Sequence, residues 1–374
     1  MTAPLPDAWV SVSRPALRHN FQAVRTLAAA PDGPSPLVIA VVKANAFGHG
    51  APETACVFGQ AGASFFAVTT LAEALELRAA GIGSRILVFL PPLPDQWDAC
   101  VEHDLEATVC DDIALRGLAQ AARAQNKHAR VHLKVDTGMG RLGVLADAAL
   151  PLARQVDADP DVVFAGIYTH FARALERDDA YVRRQFAAFE QVTARLHNEG
   201  IACGLRHCAN SAALVRFPQM RLDAVRPGTI LYGQYPSEAV PRALQLQDTW
   251  ILQARIVAVR DLPRGASLGY GGEFVTKRAS RIAVLPIGYA DGFAVAPLSA
   301  QSGWRGLKSL LRGLGGPGVT VTVRGRRVPI VGRIAMQICT VDVSDVPGVQ
   351  VGDVVSLPAR RIAASARLPR LYTD

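Results

Sequence analysis

The sequence lacks the marks of several protein classes. None of its six cysteines (Cys56, Cys100, Cys110, Cys203, Cys208 and Cys339) pairs as C-x-x-C, and their spacings match no zinc pattern. That scatter fits reduced, mostly buried thiols of a cytosolic protein better than a disulfide framework, and no metal site is expected. No block of five or more like charges occurs. The basic residues behind the net charge of +8 are dispersed, as in Arg183-Arg184, Arg326-Arg327 and Arg360-Arg361. This argues against a nucleic-acid-binding arm and is compatible with a mildly basic pocket for an acidic small molecule. Met1 to Val10 contains no basic segment followed by an apolar core, so no secretory signal is expected. No apolar run reaches the length of a membrane span. A cytoplasmic location without membrane partners follows as the expectation. Apolar residues themselves are abundant, at half the chain, which excludes disorder as the global state. A length of 374 residues exceeds one ordinary domain, and two are expected.

Between about residues 36 and 230, short apolar runs alternate with segments of helical spacing. The runs are Leu37–Val42, Phe65–Thr69, Arg85–Leu90, Glu106–Cys110, Arg130–Val135, Phe164–Thr169, Leu205–Cys208 and Leu222–Val225. Leu71–Ala80, Ile113–Ala124 and Tyr181–Asn198 carry the helical pattern between them. Eight such units predict a (β/α)8 TIM-like barrel. An open doubly wound sheet is the alternative, but no G-x-G-x-x-G follows an early strand. Trp9–Ser13 reads as a short strand leading into the barrel, and Leu17, Phe21, Val24 and Leu27 repeat at helical spacing after it. Beyond about residue 240 the texture changes. Ile251–Val259, Arg281–Pro286, Val319–Val323, Arg327–Val331 and Thr340–Val343 read as strands, and Val323-Arg324-Gly325-Arg326 as a hairpin turn. The predicted division is a cofactor-binding barrel over residues 8–238 and a mostly β domain over 239–374. Residues 297–317 form an irregular stretch containing Gly and Leu with no assignable element.

Barrel enzymes carry their active groups at the C-terminal ends of the strands. Here the first strand ends at Lys43, the fifth at Lys134, Asp136 and then Arg141, and the sixth at His170. The seventh runs into Asn210 and Ser211, and the eighth into Arg226, Gly228 and Thr229. Singly, each has an ordinary reading. Lys43 could reach water, His170 could bond a backbone carbonyl, Ser211 could cap a helix, and Pro227-Gly228 could be a plain turn. Arg226 is harder to dismiss, because a buried guanidinium stays charged and needs acceptors. Five coincidences at one rim indicate a site. A lysine ending a buried strand suits a covalent amine for an aldehyde cofactor, since desolvation lowers its pKa toward neutrality. The loops after strands seven and eight are where such barrels hold phosphate.

Val41-Val42-Lys43-Ala44-Asn45-Ala46-Phe47-Gly48-His49-Gly50 resembles the cofactor-lysine motif of the alanine racemase family. His132 to Gly143 resembles its substrate-arginine segment. Tyr168 to Ala172, Asn210-Ser211-Ala212, Arg226-Pro227-Gly228, Gly269-Tyr270-Gly271, Pro286 to Gly292 and Gly332 to Met336 follow in the family's order. The resemblance runs from about residue 8 to 355. It implies a pyridoxal 5′-phosphate-dependent racemase that interconverts L- and D-alanine, for peptidoglycan or for D-alanine breakdown. It also implies a head-to-tail homodimer whose sites join one barrel to the other subunit's β domain. By the same resemblance Lys43 binds the cofactor and works one face of the substrate carbon, and Tyr270 of the partner subunit works the other. Arg141 and the Met336 N–H hold the substrate carboxylate. Lys134 matches a lysine often carbamylated, which orients Arg141. His170 and Arg226 lie at the cofactor ring, and Ser211, Gly228 and Thr229 hold its phosphate. Tyr289 is a supporting residue.

Racemisation requires proton removal on one face and delivery on the other, so two groups must each alternate as acid and base. Lysine and tyrosine both begin near a pKa of about 10, and a cationic site can lower both. Three departures from the family pattern stand out. Phe47 replaces a usual tyrosine, Gln337 follows Met336 in place of aspartate, and the tail after Leu357 runs almost directly to Arg367 and Tyr372, without the family's helix and tyrosine. They leave open a racemase for another small amino acid, such as serine, or a weakly active cofactor-binding homologue.

Overall fold

The computed structural model describes residues 5–29, 34–295 and 319–374. The irregular 297–317 stretch lies outside them. The chain divides into two compact units, Arg14–Thr249 and Met1–Ser13 with Trp250–Asp374.

In the first unit, eight parallel strands close on themselves. They are Leu37–Val41, Phe65–Val68, Arg85–Val88, Glu106–Val109, Ala129–Asp136, Val162–Tyr168, Leu205–Asn210 and Ala224–Arg226, each hydrogen-bonded to the next. Ala224 lies opposite Leu37, which seals the barrel. The expected (β/α)8 architecture is what forms, because strands buried on both faces read as near-continuous apolar runs. Phe65, Phe66, Ala67 and Val68 are all fully buried. The helix Leu71–Ala79 begins with a capping box, Thr70 with Glu73. In the helix Asp112–Ala124, Asp111 accepts from the Ala114 N–H.

Among its described residues the second unit holds a short two-stranded sheet, Ser267–Leu268 with Phe274–Val275, and a nine-stranded one. Its hairpin of Thr320–Val323 and Arg326–Val331 turns at Arg324 and Gly325, both at positive φ, as a two-residue hairpin requires. The run expected as one strand from Ile251 to Val259 is two, Trp250–Arg255 and Ala258–Leu262, which pair with different neighbours. The strand Ala8–Ser13, grouped with the barrel by the sequence reading, belongs to this sheet. It runs antiparallel to Trp250–Arg255 and parallel to Arg370–Thr373. Residues 239–249, expected in the second domain, belong with the barrel, where Gln247 is bonded to Asn20. Tyr372 therefore sits in a terminal strand beside Val12.

Candidate active site

Lys43 follows the end of the first barrel strand and enters an unusual turn. Ala44, Asn45, Ala46 and Phe47 all have φ between 51° and 54°. The Phe47 ring packs on Tyr232, with centroids 4.8 Å apart. Burial and the charge of Arg141 hold the Lys43 amine below its ordinary pKa, against an opposing pull from Glu73. Among the described residues nothing forms an ion pair with it.

The segment after the fifth strand is folded by one carboxylate. Asp136 Oδ1 accepts from the N–H of Gly138 (2.8 Å) and Met139 (2.7 Å), and Oδ2 from that of Gly140 (2.9 Å). Burial works against the charge of Asp136, but these backbone donors outweigh it and lower its pKa. Gly143, at φ 123°, lies so close to the strand that a Cβ would meet the Asp136 nitrogen at 2.7 Å. The loop so formed carries Arg141 to an exposed position.

Lys134 is 5 % exposed and lies over the Tyr168 ring, Nζ to centroid 5.1 Å. Arg226 lies at the same distance from that ring, and the ring stacks on His207 at 4.9 Å. Burial, followed by Arg226, lowers Lys134 to about 8. His170 is lowered to about 3 by burial and then by Arg226, Lys134, Arg141 and Lys43, so its imidazole is neutral at physiological pH. These five side chains, from four strand ends, therefore share one electrostatic environment. Ser211 Oγ accepts from the Gly228 N–H at 2.8 Å, leaving the hydroxyl proton to donate elsewhere. A Cβ at Gly228 would meet Phe47 Cζ at 2.9 Å. Thr229 opens the short turn Thr229–Tyr232 that follows.

The sequence reading missed the support behind Arg226. Nη1 donates to His207 Nδ1 (2.6 Å) and to the His207 carbonyl (2.8 Å), and Nη2 donates to the Thr169 carbonyl (2.7 Å). Guanidinium can only donate, which fixes the rest. His207 Nδ1 is the acceptor, so Nε2 carries the proton and donates to His132 Nδ1 at 2.9 Å. His132 Nε2–H then donates to Glu106 Oε2 at 2.6 Å, and Arg85 Nε closes on Oε1 at 2.5 Å. Burial lowers the pKa of both imidazoles and keeps them neutral. A barrel interior is usually apolar. This one contains a polar line from Arg85 at the start of one strand to Arg226 at the end of another. Gly166 makes room for it, since a Cβ there would lie 2.5 Å from His132 Nδ1. The histidines within two otherwise apolar strands, His132 and His207, were the available sequence signal.

In the β-rich unit, Tyr270, Tyr289 and Met336 are all exposed, Tyr270 at 74 %. Tyr270 begins a turn flanked by Gly269, Gly271 and Gly272, all at positive φ. Tyr289 N–H donates to the Ala335 carbonyl (3.2 Å) and Ala290 N–H to the Met336 carbonyl (2.9 Å). Gly288 permits that approach, because a Cβ would lie 2.1 Å from the Ala335 oxygen. Among the described residues nothing accepts from the Met336 N–H.

A closed barrel that gathers a desolvated lysine, several cationic side chains and a serine–glycine hydrogen bond at its strand ends has the arrangement of a barrel enzyme whose site suits a small anionic ligand. The alanine racemase N-terminal domain model matches residues 12–236 and the C-terminal domain model residues 250–368. The chain is 40% identical over 385 residues to an alanine racemase of Desulforamulus reducens, covering 97% of this chain and 98% of that protein. It matches the structure of an alanine racemase from Clostridium difficile 630 with a TM-score of 0.89 at 27% identity, covering 99% and 97% of the two chains. A histidine racemase from Leuconostoc mesenteroides matches with a TM-score of 0.85 at 26% identity over the full length of both chains. The chain belongs to the alanine racemase family, whose members are pyridoxal-phosphate-dependent isomerases.

Proposed function

We propose that the protein interconverts L- and D-alanine, with Lys43 and Tyr270 as the two proton-handling groups. The observation that carries this reading is the Lys43 amine, which is desolvated, beside a cation and outside any ion pair with the described residues. Lowering its pKa makes the unprotonated, nucleophilic form of such an amine more available than that of an exposed lysine. The rim residues fit pyridoxal 5′-phosphate. Lys43 suits its aldehyde, and the Ser211 hydroxyl with Gly228 and Thr229 suits its phosphate. Arg226, held by His207 and two further backbone carbonyls, suits the ring nitrogen and disfavours its protonation, since two adjacent cations repel. When bound, pyridoxal phosphate acidifies the α-hydrogen of an amino acid joined to its aldehyde.

Lys43 takes or returns the proton at one face of the substrate carbon, and Tyr270 does so at the other. Arg141 and the Met336 N–H hold the substrate carboxylate, with Asp136 fixing the loop that presents Arg141. His170 stays neutral beside the ring, and Lys134 and Tyr289 support the site. The reading includes a homodimer in which Tyr270, Tyr289 and Met336 come from the partner subunit, and their exposure supports it. A cytoplasmic setting and a role in D-alanine supply for peptidoglycan, or in its breakdown, complete the proposal.

The test is exchange of the α-hydrogen with deuterated water, alongside chiral analysis of products, across alanine, serine and histidine. Alanine should turn over far faster than the others. Exchange without enantiomer interconversion refutes the two-base assignment. The likeness to a histidine racemase favours one second reading, a different amino-acid preference, and faster turnover of serine or histidine would select it.

A further inference from the structure

The four residues after Lys43 are all left-handed, and none is glycine. Left-handed backbone is unfavourable for L-residues other than glycine, less so for asparagine, so a run of four persists only where its surroundings hold it. The far end of the run is held locally. Asn45 Oδ1 accepts from the Ala51 N–H at 2.8 Å, the Asn45 carbonyl from Gly50, and the Ala46 carbonyl from the His49 N–H. The near end, next to Lys43, is held by a side chain from another element. Glu73 Oε1 accepts from the Ala44 N–H at 2.6 Å. The second oxygen accepts from the N–H groups of Thr69 (2.7 Å) and Thr70 (3.1 Å), at the end of the second barrel strand.

A capping box explains only part of this arrangement. It needs a glutamate oxygen on the N-cap N–H and the Thr70 hydroxyl on the Glu73 N–H, and both bonds are present. The other carboxylate oxygen is used outside the helix, on the first strained residue beyond the lysine. One carboxylate thus ties the ends of two adjacent strands together at the root of the Lys43 side chain.

We propose that Glu73 is a positioning residue for Lys43: its carboxylate latches the left-handed turn and fixes the backbone from which the amine reaches the cofactor. The proposal rests on Lys43 being the cofactor-binding lysine. Glutamine at this position keeps one acceptor oxygen but turns an amide toward an N–H donor, so it satisfies the cap or the Ala44 bond and not both. It also removes the negative charge facing Lys43, leaving the charge of Arg141 from the loop after the fifth strand and the neutral His170 coupled to the same amine.

The experiment measures capture of pyridoxal 5′-phosphate by the full chain freed of cofactor, followed by absorbance across a range of pH. Borohydride reduction and peptide mapping then identify the lysine modified. Glu73→Gln and Glu73→Ala should slow capture at least ten-fold, and Glu73→Gln should move the pH midpoint downward, since the lost carboxylate favoured the charged amine. Thr70→Ala, which removes only the hydroxyl half of the cap, should lower the melting temperature and leave capture within two-fold. If Glu73→Ala does not fold, Glu73→Gln decides. Wild-type capture rate and midpoint in Glu73→Gln overturn the latch, as does a Thr70→Ala protein that reproduces the defect. Parent protein that captures the cofactor on a lysine other than Lys43 overturns the active-site reading and the latch together. A defect confined to Glu73 variants supports the latch.

Discussion

Replacing Glu106 by glutamine should destabilise the barrel by about 3 kcal/mol at neutral pH, by two independent routes. The Glu106 side chain is 1 % exposed and accepts from His132 and twice from Arg85. Burial works against its charge, but those hydrogen bonds prevail and hold the carboxyl at about 2, against an ordinary 4.5. Such a lowering corresponds to roughly 3 kcal/mol of folding stability. Removing one partner of a buried ion pair independently costs about 3–5 kcal/mol. The folded value lies below the unfolded one, so this stability is fully present above about pH 4.5 and is lost as pH falls toward 2. For a unit of this size about 3 kcal/mol is a fall of roughly 6–12 °C in melting temperature. Calorimetry of parent and Glu106→Gln proteins should show that gap at pH 7, and at about pH 3 a gap less than half as large. A variant melting within about 2 °C of the parent at pH 7, or a gap that ignores pH, would refute the account of the buried polar line.

Lys43→Ala should abolish the absorbance band of bound cofactor while leaving the far-ultraviolet circular dichroism unchanged. Tyr270→Phe should retain that band and lose about 10²–10⁴-fold in racemisation; full activity would remove Tyr270 from the proton-transfer pair. Gly228→Ala should weaken cofactor retention in dialysis, because the added methyl meets the Phe47 ring at 2.9 Å and disturbs the Ser211–Gly228 cradle.

The closed barrel was legible because alternating apolar runs and helical spacing are local signals, repeated eight times. That Lys43, Lys134, His170, Ser211 and Arg226 stand at strand ends was legible for a related reason: a barrel places strand ends together, so residues at those ends become neighbours. The strand Ala8–Ser13 was misassigned because its partners are Trp250–Arg255 and Arg370–Thr373, more than 230 residues away in sequence. Nothing in six residues specifies so distant a pairing. The break at Ile256-Val257 was equally invisible, since Ile256 to Val259 is continuously apolar while the hydrogen-bond partners change.

The sequence by itself determined the chemistry available: which reactive groups stand at strand ends, and the glycines that let the Tyr270 turn take positive φ and the backbone at Gly228 approach Phe47. Tertiary structure decided how those groups are held. Glu106, His132, His207 and Arg226 lie on four strands, and only barrel closure turns them into one directed line of hydrogen bonds. The left-handed run after Lys43 carries alanine, asparagine and phenylalanine in place of the glycine that ordinarily signals such backbone. Local bonds hold its far end, but its near end is held by Glu73, 29 residues on, and propensity, being local, does not register that contact.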